Sequence, residues 1–264
     1  MADTDAVLGA GLPEPVIAAP GNADPGRSAP GPETVMTLVD HLTELRTRIV
    51  RSILAVVAGT AIGFVAAPNI RSVLVAPLPA SALPLQVLGP GDAFGIQIRI
   101  AVIAGIILAM PVLLYQLWSF VAPGLTAKER RALRPWIPLA LFFFVLGVSI
   151  AYAILPFAIT FLLAFTDAVV VAHLAAPPYF DFVTTMFLAF GLLMEFPIVL
   201  YALARVGILS SARLRSSRRV IILGIAVFAA VATPGGDLVS PTILGGTMYI
   251  LFELTVIAIR RGGR

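Results

Sequence analysis

Hydrophobic and polar positions alternate along this chain in long blocks. Between Arg51 and Arg71 lie 19 uncharged residues, between Arg99 and Lys128 there are 28, and between Arg134 and Asp167 there are 32. Runs of that length predict membrane-spanning helices, since about 20 apolar residues cross a bilayer. They place spans near 50–67, 93–117 and 135–157. A fourth, 182–204, is interrupted by Glu195, and two shorter runs, 220–234 and 240–258, flank the turn Thr233-Pro234-Gly-Gly-Asp237. The last two fall short of a standard bilayer and imply local thinning or packing against longer neighbours. The expected fold is an all-α membrane protein of six spans within residues 34–260.

Ahead of the first span, Leu38, Leu42, Leu45 and Ile49 recur at helical spacing opposite Glu44, Arg46, Arg48 and Arg51. That pattern predicts an amphipathic helix in the headgroup layer, with Thr37 and Asp40 as a candidate capping box at its start. Residues 68–92 hold five prolines and are expected to form a loop. Residues 1–33 hold six prolines among Ala and Gly and are expected to be a flexible cytoplasmic tail, and 261–264 a short cytoplasmic tail. No charged region precedes an apolar one there, so no cleaved signal peptide is expected.

Composition agrees. The chain is 59% hydrophobic and 12% charged, against about a quarter charged in a soluble domain. Its net charge of +4 comes from basic residues at the ends of apolar runs, which is a topology signal and not a nucleic-acid footprint. With the N-terminus inside the cytoplasm, 16 of the 18 basic residues fall on that side, leaving Arg71 outside and Arg99 within the second span as a snorkelling residue. Six spans with both termini inside follow. There is no cysteine, and no His-Glu-x-x-His, Walker loop or serine nucleophile elbow. His41 and His173 fall on opposite sides of the membrane in this topology and cannot share a metal. No enzyme and no cofactor is expected.

The candidate chemistry is carboxylate. Glu44 before the first span and Glu129 in the second cytoplasmic loop are anions on one face of the membrane, among arginines. Such a patch suits a ligand with two guanidinium groups, each taken through paired hydrogen bonds. The competing reading pairs Glu44 with Arg48 one turn along, and Glu129 with its own neighbours, for only about 0.2–1 kcal/mol each. Gly59-Thr-Ala-Ile-Gly63 matches a small-residue packing motif, but in a chain this rich in Gly and Ala the spacing carries no specific contact.

Asp40-His-Leu-Thr-Glu-Leu-Arg46 resembles the N-terminal signature of the TatC family, the six-span subunit of the twin-arginine protein translocase. Met110-Pro-Val-Leu-Leu-Tyr-Gln-Leu-Trp-Ser-Phe120, with Pro123 and Glu129-Arg-Arg131, resembles that family's second span and loop. Phe190-Gly-Leu-Leu-Met-Glu195-Phe-Pro197 resembles its fourth span. Thr233-Pro234…Asp237 resembles its last outer turn, one residue longer than the family's Thr-Pro-Pro-Asp form. The resemblance runs from about 36 to 260. It implies that Glu44 and Glu129 receive the consecutive arginines of a signal peptide, with Phe120 and Arg46 shaping the site. It implies that Glu195, an intramembrane glutamate and so a functional candidate by default, faces single-span TatA- and TatB-type partners, with Asp237 a second polar point. Self-association, contact with membrane lipids, a bacterial inner-membrane location and use of the proton-motive force complete the expectation. The alternative is a small-solute transporter or channel using Glu195 and Glu253, against which stands the absence of an internal repeat.

Overall fold

The computed structural model describes residues 38–166, 174–233 and 237–261. Thr37, the proline-rich tail, His173 and the Pro234–Gly236 part of the last turn lie outside the described residues. Leu42–Arg264 forms one compact unit; of the other, Met1–His41, only 38–41 are described, the opening of the first helix.

Among the described residues the secondary structure is helical, apart from one isolated bridge between Gln86 and Ala175. The helices are α1 (Leu38–Val75), α2 (Asp92–Val121), α3 (Ala127–Leu133), α4 (Trp136–Leu163), α5 (Ala176–Leu193), α6 (Phe196–Arg205), α7 (Ser211–Ser216), α8 (Arg218–Ala232) and α9 (Val239–Arg261). Five segments are long and apolar enough to cross a membrane: α1, α2, α3 with α4, α5 with α6, and α9. Helix α8, at the fifth of the predicted spans, has 15 residues. At 1.5 Å per residue it is about 22 Å long, below the roughly 30 Å of bilayer hydrocarbon. The expected shortness thus holds for α8 alone. Helix α9 runs past the apolar stretch through Arg260 and Arg261 to 23 residues, because arginine can keep its stem in the apolar layer while its head reaches water.

Two expectations about the first span are corrected. The charged segment and the span are one 38-residue helix, with no separate helix set apart from it. Helix α1 also runs through Pro68 to Val75, so the proline-rich loop is 76–91 and not 68–92. A proline inside a helix removes the bond to the carbonyl four residues back. That carbonyl belongs to Phe64, and Gln97 of α2 donates its Nε2 to it at 2.8 Å. A side chain from the neighbouring helix therefore replaces the lost donor, as backbone in an apolar layer demands. At the end of α1, Tyr179 donates its hydroxyl to the Leu74 carbonyl at 2.5 Å, satisfying one of the acceptors that a helix end leaves open.

Neighbouring spans pack antiparallel at glycines. A Cβ at Gly59 would lie 2.6 Å from the Gly105 carbonyl oxygen, one at Gly63 equally close to that of Ala101, and one at Gly105 only 2.4 Å from the Thr60 nitrogen. The Gly59–Gly63 motif is thus a specific seam between α1 and α2, correcting the expectation that it carried none. Gly147 and Gly191 make the corresponding seam between α4 and α5, against the Phe190 carbonyl and the Phe144 ring. Phe144, Phe180, Phe190 and Phe252 are fully buried between the spans, while Leu54, Val57, Val65 and Val231 are exposed, as a bilayer requires of its outer faces.

Candidate functional site

The antiparallel seams fix which residues share an end. Arg48 near the start of α1 donates Nη1 to Gln116 Oε1 near the end of α2, at 3.3 Å. Trp136 at the start of α4 stacks on Tyr201 near the end of α6, ring centroids 3.6 Å apart. Arg218 at the start of α8 pairs with Glu253 late in α9 at 2.5 Å. The start of α1, the end of α2, α3, the start of α4, the end of α6, α7, the start of α8 and the end of α9 therefore lie at one end. Nearly all described arginines are there; Arg71 and Arg99 belong to the other.

Glu44 sits on α1 with its side chain four-fifths buried. Its Oε1 accepts both Nε, at 2.9 Å, and Nη2 of Arg48, and Gln116, itself buried, holds the far side of that guanidinium. The neighbour pairing anticipated as the competing reading is present, but a third residue from another helix locks it. In the sequence the signal for Gln116 is only a lone amide near the end of an apolar run. The remaining oxygen, Glu44 Oε2, is buried and has no hydrogen-bond partner. A buried carboxylate oxygen left unbonded costs roughly 1–3 kcal/mol or more, so it stands ready for a donor.

Glu129 is the N3 residue of α3. Its Oε2 accepts from the Thr126 amide at 3.0 Å and the Thr126 hydroxyl at 2.8 Å, and Thr126 Oγ1 accepts from the Glu129 amide at 3.4 Å, a complete capping box. Arg130 folds back to donate Nε and Nη2 to the Ala122 carbonyl, away from that carboxylate. Phe120, half-buried, is one turn beyond Gln116 in α2, and Arg46 is exposed on α1. Glu44, Arg46, Phe120 and Glu129 thus share the basic end.

The other two predicted residues lie elsewhere. Glu195 occupies the break between α5 and α6, where Pro197 cannot donate to the Leu193 carbonyl and so interrupts the span. Its Oε1 is buried with no hydrogen-bond partner. Ten residues of helix separate it from Arg205, about 15 Å along the axis. Asp237, also buried, precedes α9 at the opposite end, where its Oδ1 accepts from the Ser240 amide at 2.6 Å and starts that helix. Glu253 belongs to the basic end through Arg218. Arg99 does not simply snorkel: it forms an ion pair with Asp181, the carboxylate just outside the predicted fourth span. Both side chains are largely exposed, so the pair contributes about 0–1 kcal/mol to the α2–α5 contact.

A family model described as the Sec-independent protein translocase protein (TatC) matches residues 40–246. A TatC of Carboxydothermus hydrogenoformans is 35% identical over 222 residues, covering 84% of this chain and 91% of that protein. That of Aquifex aeolicus is 35% identical over 226 residues, 84% and 93% of the two chains. A crystal structure of the twin arginine translocase receptor TatC in DDM is similar with a TM-score of 0.73 at 34% identity, covering 83% of this chain and 98% of that one. The chain belongs to the TatC family: it is a multi-pass membrane component of the Sec-independent, twin-arginine protein translocase, and not an enzyme.

Proposed function

We propose that the basic end is the receptor site for twin-arginine signal peptides of folded proteins and faces the cytoplasm of a bacterial cell, with both termini on that side of the inner membrane. The observation that carries this reading is the carboxylate of Glu44, held on one oxygen by Arg48 and Gln116 and buried on the other without a partner. One guanidinium of the signal joins Oε2 without displacing Arg48, because Arg48 is held on Oε1 alone. The second exchanges with Thr126 on Glu129, which a carboxylate with about four lone-pair sites accommodates. Phe120 gives the arginine stems an apolar surface, and Arg46 shapes the same site.

Low local dielectric strengthens each pairing relative to bulk water, and the fork of arginine fits a carboxylate where the point charge of lysine does not. A twin-lysine peptide is therefore expected to bind the purified chain on the order of tenfold or more weakly than its twin-arginine parent, each lost charged hydrogen bond being worth roughly 1.5–3 kcal/mol. Equal affinities in fluorescence anisotropy titrations would overturn the paired geometry.

Glu195 serves another step, association with single-span TatA- and TatB-type subunits along the broken span, with further copies of the chain completing the assembly. The supporting feature is an unbonded carboxylate oxygen within a segment that crosses the membrane, where a polar helix can satisfy it. Energy comes from the proton-motive force. Glu195→Ala is expected to leave peptide affinity unchanged and to lower co-purification of the partner subunits several-fold. Loss of peptide affinity in that variant would instead assign Glu195 to the receptor site.

A further inference from the structure

The arginines at the basic end fall into two chemically different groups. Near α1 and α3 they are interleaved with Glu44 and Glu129. Around α7, α8 and the end of α9 the balance differs: Arg213, Arg215, Arg218, Arg219, Arg260 and Arg261 face a single carboxylate, Glu253. Arg218 takes up that carboxylate. Among the described residues no carboxylate pairs with the other five, all of which are exposed.

Local structure holds these charges outward. Ser210 caps α7 by accepting from the Arg213 amide at 3.2 Å, and Leu214 is 3% exposed, pinned into the core. A buried leucine between Arg213 and Arg215 turns both guanidinium groups away from the protein, and α7 itself packs on α8 and α9. Helix α8 then runs directly from Arg218 and Arg219 into Val220 and Leu223, 71% and 64% exposed. Exposed apolar side chains thus follow the arginines within one turn. With about 22 Å of length, α8 cannot lift Arg218 and Arg219 beyond the headgroups while its far end also reaches the opposite interface. It holds them at the depth of the phosphates.

We propose that the α7–α8 turn and the end of α9 form a binding surface for the headgroups of anionic phospholipids, separate from the carboxylate-bearing peptide site. A cluster of five unpaired arginines is complementary to phosphate, and the exposed valine and leucine beneath them are complementary to the acyl chains of the same molecules. An acidic protein segment would meet the charges but not this apolar continuation, so the occupant is lipid. The surface acts as an anchor that draws anionic lipid around the short helix and fixes its depth. Because it needs no peptide, it stands independently of the receptor reading.

The test uses the full chain purified in mild detergent and incubated with micelles containing equimolar phosphatidylglycerol and phosphatidylcholine, with native mass spectrometry reading the lipids retained. The wild-type chain is expected to retain several-fold more phosphatidylglycerol, and R213Q/R215Q/R219Q to bring the ratio close to parity. The corresponding lysine variant keeps most of the preference, and R260Q/R261Q, a milder change, lowers it in part. R71Q/R99Q, at the opposite end, keeps it. Helical content by circular dichroism confirms that each variant is folded. Parity in the wild-type chain, an undiminished preference in both glutamine variants of the patch, or an equal loss in R71Q/R99Q overturns the proposal. So does capture of an acidic peptide by a chain that shows no preference among lipids.

Discussion

Glu44→Gln is expected to weaken capture of a twin-arginine peptide by on the order of 10- to 100-fold, and to reduce export of a twin-arginine reporter accordingly. Glutamine keeps the length and the acceptor oxygen but removes the charge. Each hydrogen bond to a charged group is worth roughly 1.5–3 kcal/mol, and 1.4 kcal/mol is a factor of ten in affinity. The substitution also loosens Arg48, which now donates to Glu44 on one side and Gln116 on the other. Gln116→Leu separates these two effects. It leaves the Glu44 carboxylate intact but removes the acceptor that orients Arg48, so affinity is expected to fall by about three- to tenfold, the scale of a single net hydrogen bond of 0.5–1.5 kcal/mol. Titration of a labelled peptide against both variants decides the matter. Wild-type affinity in Glu44→Gln would remove this carboxylate from the receptor site, whereas a larger loss in Gln116→Leu than in Glu44→Gln would move the site to α2.

Much of this arrangement was legible along the chain because bilayers enforce a simple rule. A charge inside an apolar run is costly, so the gaps between charges mark spans, and Glu195 followed by Pro197 marks a break inside one. What escaped was set by contacts between helices. Nothing within residues 60–75 reveals that Gln97 of another helix supplies the donor Pro68 lacks, so α1 read as ending too early. The Gly59–Gly63 spacing is common in membrane proteins, and only the opposed Gly105 on α2 makes it a close seam. Arg99 and Asp181 were each visible as a lone charge beside an apolar run. Their pairing depends on α2 and α5 starting at the same end, which no local pattern records. The candidate carboxylates stand out in the sequence by their setting among arginines, while Gln116, the residue that locks Arg48, is hidden as one amide in a hydrophobic helix.

The same interhelical logic makes a single methyl group a damaging change even away from the site. In Gly147→Ala the new Cβ lies 2.4 Å from the Phe190 carbonyl oxygen and 2.8 Å from Met194 Cγ. The first neighbour is helix backbone in the last turn of α5 and cannot turn aside, so α4 and α5 must separate. Overpacking of this kind costs about 1–3 kcal/mol, occasionally more. Gly224→Ala and Gly246→Ala are the matched controls, because a Cβ at either position meets nothing within 4 Å. There the gain in helix propensity of about 0.5–1 kcal/mol stands unopposed, and those variants are expected to equal or exceed the wild-type chain. Thermal unfolding in detergent, followed by circular dichroism, should order the three with Gly147→Ala alone displaced downward. The displacement also has a functional reach: Met194 adjoins Glu195, so parting α4 from α5 shifts the break in the fourth span. Partner co-purification is therefore expected to fall together with the unfolding midpoint in Gly147→Ala and to stay at the wild-type level in the controls. A Gly147→Ala chain as stable as Gly224→Ala would mean that the α4–α5 seam has room for a methyl group, and that the position of Glu195 is set by something other than this contact.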